Sequence, residues 1–510
     1  MLPRQHTRAW TWISLLALVY ILTFSILSVL RHDTFHSTTL DLGIMTQVVW
    51  NTSHGRWFET SIGRAMDTDL VGSYLGNHVR PILLFLAPLY RLCPDPRLLL
   101  ILQSMGLGLA AVPLYHIVRR QVGESRTACI VVCCYLAYPA LGFLNLVDFH
   151  PMALSIPLVF VAYWAMQTER KALFWATVVM ALFCKEEMVV PIGMWGVVSL
   201  FDRERRRFWI ALVIIAIVWT VLCFGLIIPY FNEGRSYRFW DLWAHLPGPS
   251  ILPVDVGSAQ SATRLSFETE ALFLLHLFLP LGFLPFVGPA SFMVALPALV
   301  YLLVGQRPAL HSVGYQYPAV LIPWLFLAAS EGLRRLRYQG GGAARRRLYR
   351  MGLAFMVFGT LGMNVVLNPI LLYAGAGMFR PEAQQPQVVE AMAQIPPEAG
   401  VATINQFGSH LANRRVLVAL EYPPPFRLDH VEQADYVMLD LVDCRVVPAA
   451  DPRARYGEMV VELLATDEYT IRYWSGRILL LERGEPLEDE VEDVLDYVGK
   501  LVEQERPCWP

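Results

Sequence analysis

Charge is scarce in this chain. Only 16% of its 510 residues are Asp, Glu, Lys or Arg, and 55% are hydrophobic. Soluble domains carry about 25% charged residues, so a water-soluble globular protein is excluded and a polytopic membrane protein is expected. Other absences narrow the chemistry. There is no Cys-x-x-Cys pair and no zinc-like spacing, although eight cysteines are present. Most of them sit in apolar runs, where a thiol acts as a small hydrophobe. Cys444 and Cys508 lie in a polar region, and a disulfide between them would suit an extracytoplasmic location. The polar C-terminal region has no GxGxxG or Walker-type loop. No internal repeat is evident, whereas transporters often carry repeats around a midplane site. No nucleic-acid partner is expected.

What is present is a series of apolar runs. A membrane helix needs about 20 apolar residues, and runs near 9–30, 95–118, 126–146, 148–168, 171–185, 187–202, 208–230, 268–287, 289–305, 316–333 and 349–373 qualify as candidates, about eleven in all. The first has no small-residue cleavage site behind it and reads as a retained span rather than a signal peptide. The run 79–92 is shorter and holds Pro81 and Pro88. If it does not cross, Arg119, Arg120, Arg126, Arg170, Lys171, Arg203, Arg205, Arg206, Arg207 and the run RRLRYQGGGAARRRLYR all fall in cytoplasmic loops, as the positive-inside rule asks. That choice puts the N-terminus in the cytoplasm. It places residues 31–94, the DFHP turn at 148–151, the CKEE segment at 184–187, the loop 231–267 and the stretch 305–318 on the outer face.

The loop 31–94 is the organising stretch. A plain connector would be short, yet this one carries Asp33, Asp41, Asp67, Asp69, His36, His54 and His78. In TTLDLGIMTQVVW, Thr38 or Thr39 can cap a helix with Asp41 in its first turn, where an acid also complements the macrodipole. Leu42, Met45, Val48 and Val49 form an apolar stripe, which predicts a helix lying in the membrane interface.

Further candidates are scattered. Asp148 and His150 flank Phe149 at a tight turn, as a metal-ligand pair, an acid–base pair or wet span-end residues. Lys185, Glu186 and Glu187 separate two short apolar runs; ionisable groups at depth default to function, and the alternative is a structural Lys–Glu pair. His78 with Arg80, and His311 with Tyr315, Gln316 and Tyr317, close two outer loops. Arg235 and Arg238 are placed to grip a phosphate or to meet anionic headgroups. A general base beside groups that stabilise an anionic leaving group suits a lipid-phosphate donor. After residue 373 the chain turns polar, with β-like runs at 400–404, 415–420, 434–441, 469–474 and 476–483 between helical patterns, which predicts an extracytoplasmic α/β domain over 374–510 behind a transmembrane domain over 1–373.

The stretches LDLGIMTQVVWNTSHG, LGNHVRPILLFLAPLY, PRLLLILQSMGLGLAAVPLY, DFHP, LFCKEE, YQYPAVLIPWLF, IPPEAGVATINQFGSHLANRR and ADYVMLDL resemble the bacterial and archaeal membrane family called domain of unknown function 2079. That family is similar in layout to the GT-C integral-membrane glycosyltransferases. The resemblance implies a mainly α, GT-C-like bundle, a catalytic aspartate in the first outer loop matched by position to Asp41, and a polyprenyl-phosphate-linked sugar donor with an outer-face acceptor. It also implies an acidic pair or a divalent metal ion, with Asp67-Thr68-Asp69 supplying a DxD, and a cationic partner drawn from Lys185, Arg235 or Arg238. On this reading Asp41, Asp148 and His150 are catalytic, and His78, Lys185, Glu186, Arg235, Arg238, His311 and Gln316 bind substrate. Two other readings stay open: a transporter or flippase coupled through Lys185, Glu186 and Glu187, and a non-enzymatic envelope assembly protein.

Overall fold

The computed structural model describes residues 4–62, 71–234, 237, 267–305, 307–338, 343–420, 431, 433–442, 458, 460–466, 468–484 and 488–503. It is mainly helical. Four described helices are long and apolar enough to cross a membrane: Ala9–Asp33, Pro96–Val122, Arg206–Phe231 and Ala343–Gly375. A fifth qualifies if Ser125–Leu136 and Pro139–Leu146, bent by 43° at their junction, form one span. The other apolar runs form shorter helices, among them Ile82–Leu92, Lys171–Leu182 and Pro289–Val304. Proline accounts for much of the segmentation. Pro139, Pro151, Pro289 and Pro369 each stand at a helix start, where the missing N–H costs nothing and the fixed φ suits the first turn.

The chain divides into two compact units: residues 1–28, 75–82 and 100–377 form the first, and residues 29–74, 83–99 and 378–510 the second. In the first unit, Lys171–Leu182 packs along Ser155–Gln167, and Val189–Ser199 packs along Arg206–Thr220. The CKEE segment is the break between Lys171–Leu182 and Val189–Ser199, and Glu186–Met188 forms a single 3-10 turn there. Aromatic edges fill the interior. Phe326 meets both Tyr135 and Tyr138 edge-on with ring centres 5.3 Å apart, the geometry that opposed ring quadrupoles favour. Asn145, fully buried, is satisfied by Ser104 Oγ donating to its Oδ1 and by its own amide donating to the Tyr20 hydroxyl.

The second unit holds a two-stranded pair, β1 (Glu59–Thr60) and β2 (Gly72–Ser73), and a five-stranded sheet of β3 (Val401–Thr403), β4 (Leu417–Ala419), β5 (Tyr436–Asp440), β6 (Tyr469–Trp474) and β7 (Ile478–Arg483). The order is β4-β3-β5-β7-β6; β3 runs parallel to both β4 and β5, and β7 is antiparallel to β5 and β6. The central strand β5 is buried along its whole length, so it reads as an unbroken apolar run rather than an alternating one. Asp440 at its end is clamped by the Arg477 guanidinium at 2.8 Å. The five β-like runs of the sequence are the five strands of this sheet.

One expectation is corrected. The helix over Ile44–Ser53 does not present its apolar stripe to a membrane surface. Leu42, Met45, Val48 and Val49 are all buried within the protein, and so is Gln47 between them. The Gln47 amide donates to Ser61 Oγ at 2.9 Å and to the Arg414 and Arg415 carbonyls at 3.1 Å, while its oxygen accepts from Thr60 and from the Ser61 N–H. A lipid surface offers none of those partners.

Candidate functional site

In the first unit, Glu186 is the centre of a buried polar cluster. Its carboxylate is wholly enclosed and takes three donors: His78 Nδ1 at 2.6 Å, the Tyr237 hydroxyl at 2.7 Å and the Val79 backbone N–H at 3.0 Å. Burial alone would raise the Glu186 pKa; the His78 ring, the Lys185 ammonium and the Arg80 guanidinium outweigh it and hold the carboxyl below its usual range. An ionised carboxylate only accepts, so His78 Nδ1 carries a hydrogen and Nε2 is the ring's basic nitrogen. Burial first, then the nearby Glu186 and Glu187 charges, push the Tyr237 phenol well above its ordinary pKa, so it stays a donor. Beside this triad, Lys185 Nζ contacts Glu187 Oε1 at 2.6 Å and the Tyr301 hydroxyl donates to Glu187 Oε2 at 3.2 Å.

The chain reaches this arrangement through the break in the helices. Glu186 and Glu187 lie in a 3-10 turn after the extended residue Lys185, which frees their side chains from an α-helical face. The segment 75–82 is tied to the same place, since the Ile82 N–H donates to the Phe183 carbonyl at 3.1 Å. The fold therefore brings His78, Lys185 and Glu186 together. Tyr237, Tyr301 and Val79 complete the cluster and were not singled out, although Tyr237 stands between Arg235 and Arg238 and Val79 follows His78 directly.

Asp148 and His150 sit elsewhere in this unit, both buried. The His150 N–H donates to Gln103 Oε1 at 2.8 Å, and its Nδ1 lies 2.7 Å from the Asp148 carbonyl. Gln103 thus organises the DFHP turn. His311 is buried, and its Nε2 lies 3.1 Å from the Leu303 carbonyl. Gln316 directly precedes the 3-10 turn Tyr317–Val320, with no side-chain capping bond. Arg235, Arg238, Asp67, Asp69, Cys444 and Cys508 lie outside the described residues.

Asp41 belongs to the second unit. Of the two threonines the sequence offers, Thr38 is the cap: its Oγ1 accepts from the Asp41 N–H at 3.2 Å and lies 3.4 Å from Asp41 Oδ2. The turn that follows, Thr39–Gly43, is a π-turn, a wide form often found at functional positions. It is pinned from outside. Thr39 Oγ1 donates to the Asn405 carbonyl at 2.8 Å, and the Leu40 N–H donates to Asn405 Oδ1 at 3.2 Å. Gly408 is required there, because a Cβ would fall 2.1 Å from Thr39 Oγ1. Asn405 and Gly408, in the stretch NQFGS, position the half-buried Asp41, and sequence reasoning did not single them out.

Among the described residues no group of three or more His, Cys, Asp or Glu side chains is placed to hold a metal ion, and the Glu186 oxygens are already engaged by three donors.

The family described as "Predicted membrane protein (DUF2079)" matches residues 31–477. No curated protein matches the chain. Among solved structures, ArnT from Cupriavidus metallidurans bound to undecaprenyl phosphate aligns with a TM-score of 0.57 at 14% identity, covering 92% of this chain and 98% of the other. ArnT from the same organism in the apo state aligns with a TM-score of 0.55 at 14% identity, covering 93% and 98%. At that identity the likeness concerns the fold alone.

Proposed function

The chain belongs to the DUF2079 family of predicted membrane proteins, and from that premise we propose that it is a membrane glycosyltransferase moving a sugar from a polyprenyl-phosphate carrier to an acceptor at the outer membrane face. The observation that carries this reading is the ArnT-like fold extending over nearly the full length of both chains, one ArnT structure being bound to undecaprenyl phosphate.

In the proposed reaction the acceptor oxygen attacks the sugar's anomeric carbon in line. The new bond is acceptor oxygen to carbon, and the bond broken is carbon to phosphate oxygen. Asp41 takes the acceptor proton, and the electron pair leaves on the polyprenyl phosphate. Inversion follows from a single displacement. Lys185 and Arg80 supply positive charge for the phosphate, and His78, with its tautomer set by Glu186, is a further donor or proton carrier. General-base assistance of this kind contributes about 10²–10⁴ in rate, and charge placed in advance at the leaving group contributes comparably. Asp148 and His150 are proposed to shape the acceptor side through the Gln103-held turn.

The test is twofold. Lipid extracted from the purified protein is identified by mass spectrometry, and sugar transfer is assayed with a polyprenyl-phosphate-linked donor for wild type and Asp41→Asn. Co-purified polyprenyl phosphate, with transfer lost in Asp41→Asn at normal expression, supports the proposal. Absence of the lipid together with no binding when it is added would overturn it. A carrier-coupled transporter would instead depend on Glu186, and a protein acting through its C-terminal region alone would tolerate both changes.

A further inference from the structure

We propose a second lipid site, independent of the transferase reading: a basic pocket in the first unit that holds the headgroup of an anionic glycerophospholipid. The cavity measures about 820 Å³ and lies where Ser155–Gln167 ends and Lys171–Leu182 and Arg206–Thr220 begin. Lys171, Arg203, Arg205, Arg206 and Arg207 line it, facing two carboxylates, Glu169 and Glu204. Arg205 Nη2 pairs with Glu169 Oε1 at 2.7 Å. Lys171, Arg203, Arg206 and Arg207 have no ion-pair partner among the described residues. The pocket therefore carries surplus positive charge in a concave site, which calls for an anion.

The rest of the wall says what kind of anion. Phe174, Phe208 and Ile210 supply an apolar side. From Ile210 an exposed apolar stripe continues through Ile214, Ile217 and Val221, spaced four, three and four residues apart, so that all lie on one face of the helix. The parent helix, Arg206–Phe231, is one of the four long enough to cross a membrane. A ligand with a phosphate head and acyl tails matches both parts: the head sits among the guanidinium groups, whose fork geometry fits phosphate oxygens, and the tails run along the stripe. These loops are also those the arginine count assigns to the cytoplasmic side, where anionic lipids attract juxtamembrane cations. The site is separate from the Lys185–Glu186 cluster. Helix Lys171–Leu182 has 12 residues, and at 1.5 Å per residue it holds the two sites about 18 Å apart. A lipid bound here would brace the far ends of the helices that flank the CKEE break.

The experiment uses the full-length protein in neutral detergent, with phosphatidylglycerol, phosphatidylcholine and undecaprenyl phosphate added separately, and binding read by native mass spectrometry. Phosphatidylglycerol should bind roughly tenfold or more tightly than phosphatidylcholine, each nearby cation contributing about a fivefold factor. Neutralising the pocket with Lys171→Gln, Arg203→Gln, Arg206→Gln and Arg207→Gln together should erase that preference. Should this variant fail to fold, Glu169→Gln decides alone: it releases Arg205 and should strengthen phosphatidylglycerol binding several-fold. Equal binding of the two glycerophospholipids, no gain in Glu169→Gln, or undecaprenyl phosphate binding more tightly than phosphatidylglycerol at this pocket would each overturn the proposal.

Discussion

Replacing Glu186 by glutamine keeps the shape of the side chain and removes its charge. The carboxylate accepts from His78 and Tyr237 through Oε1 and from Val79 through Oε2. Glutamine offers one acceptor oxygen. Placed at the Oε1 position it keeps two bonds and turns its amide hydrogens onto the Val79 N–H, leaving that buried donor unpaired at about 1–3 kcal/mol. The two retained bonds fall from charge-assisted to neutral strength, about 1 kcal/mol each. The expected destabilisation is therefore about 3–5 kcal/mol, the range found when one partner of a buried pair is removed. Tyr237→Phe alone should cost about 1.5–3 kcal/mol, because it deletes a bond to an ionised acceptor; in the Glu186→Gln background it should cost only about 0.5–1.5 kcal/mol. The coupling, near 1 kcal/mol, is read from denaturant unfolding of the four proteins in mild detergent, followed by tryptophan fluorescence. Because the folded Glu186 pKa is depressed, its contribution is complete at pH 7. It should decline only as pH falls below the ordinary carboxylate value near 4.3 toward the lower folded one. A Glu186→Gln cost under about 1 kcal/mol, or additive single and double variants, would refute the account of this cluster.

Asp41→Asn should lower sugar transfer by about 10²–10⁴ while leaving the unfolding transition within error of wild type, measured side by side on the same preparations. His410 is stacked on His32 at 3.9 Å, and burial followed by that neighbour holds its pKa well below the usual value. The neutral ring is the folded form, so stability should be full above about pH 6.5, where the unfolded histidine is also neutral, and fall as pH drops through it; His410→Gln should flatten part of that slope in melting curves taken between pH 7.5 and 5.5. Gly359→Ala would place a methyl 2.0 Å from the Leu279 carbonyl oxygen and should cost about 1–3 kcal/mol or more, whereas Gly362→Ala, with nothing within 4 Å, should melt like wild type.

Local features were legible in the residues. The cap was legible as one of two adjacent threonines, Thr38 or Thr39, and the strands followed from short apolar runs bounded by turn residues. The stripe Leu42, Met45, Val48 and Val49 was visible as a covered face, but periodicity does not name the cover, and only Gln47 at its centre hinted at hydrogen-bonding protein rather than lipid. The His78–Glu186 bond joins residues 108 positions apart, and no local pattern encodes such a pairing. His311 was picked out by composition alone, and no local pattern foretold that its Nε2 lies 3.1 Å from the Leu303 carbonyl. The breaks were least legible, because prolines and the CKEE segment cut the apolar runs into pieces whose hydrophobicity resembles that of uninterrupted helices.

Gln47 reaches across 367 positions of the chain to the Arg414 carbonyl. A ribosome working at 5–20 residues per second delivers those two groups roughly 20 to 70 s apart. For that interval the amide of Gln47, and the helix built around it, must wait among water, lipid or chaperones with their intended neighbours still unmade. Translation speed, and whatever shelters the early segment, thus become determinants of how many chains mature correctly.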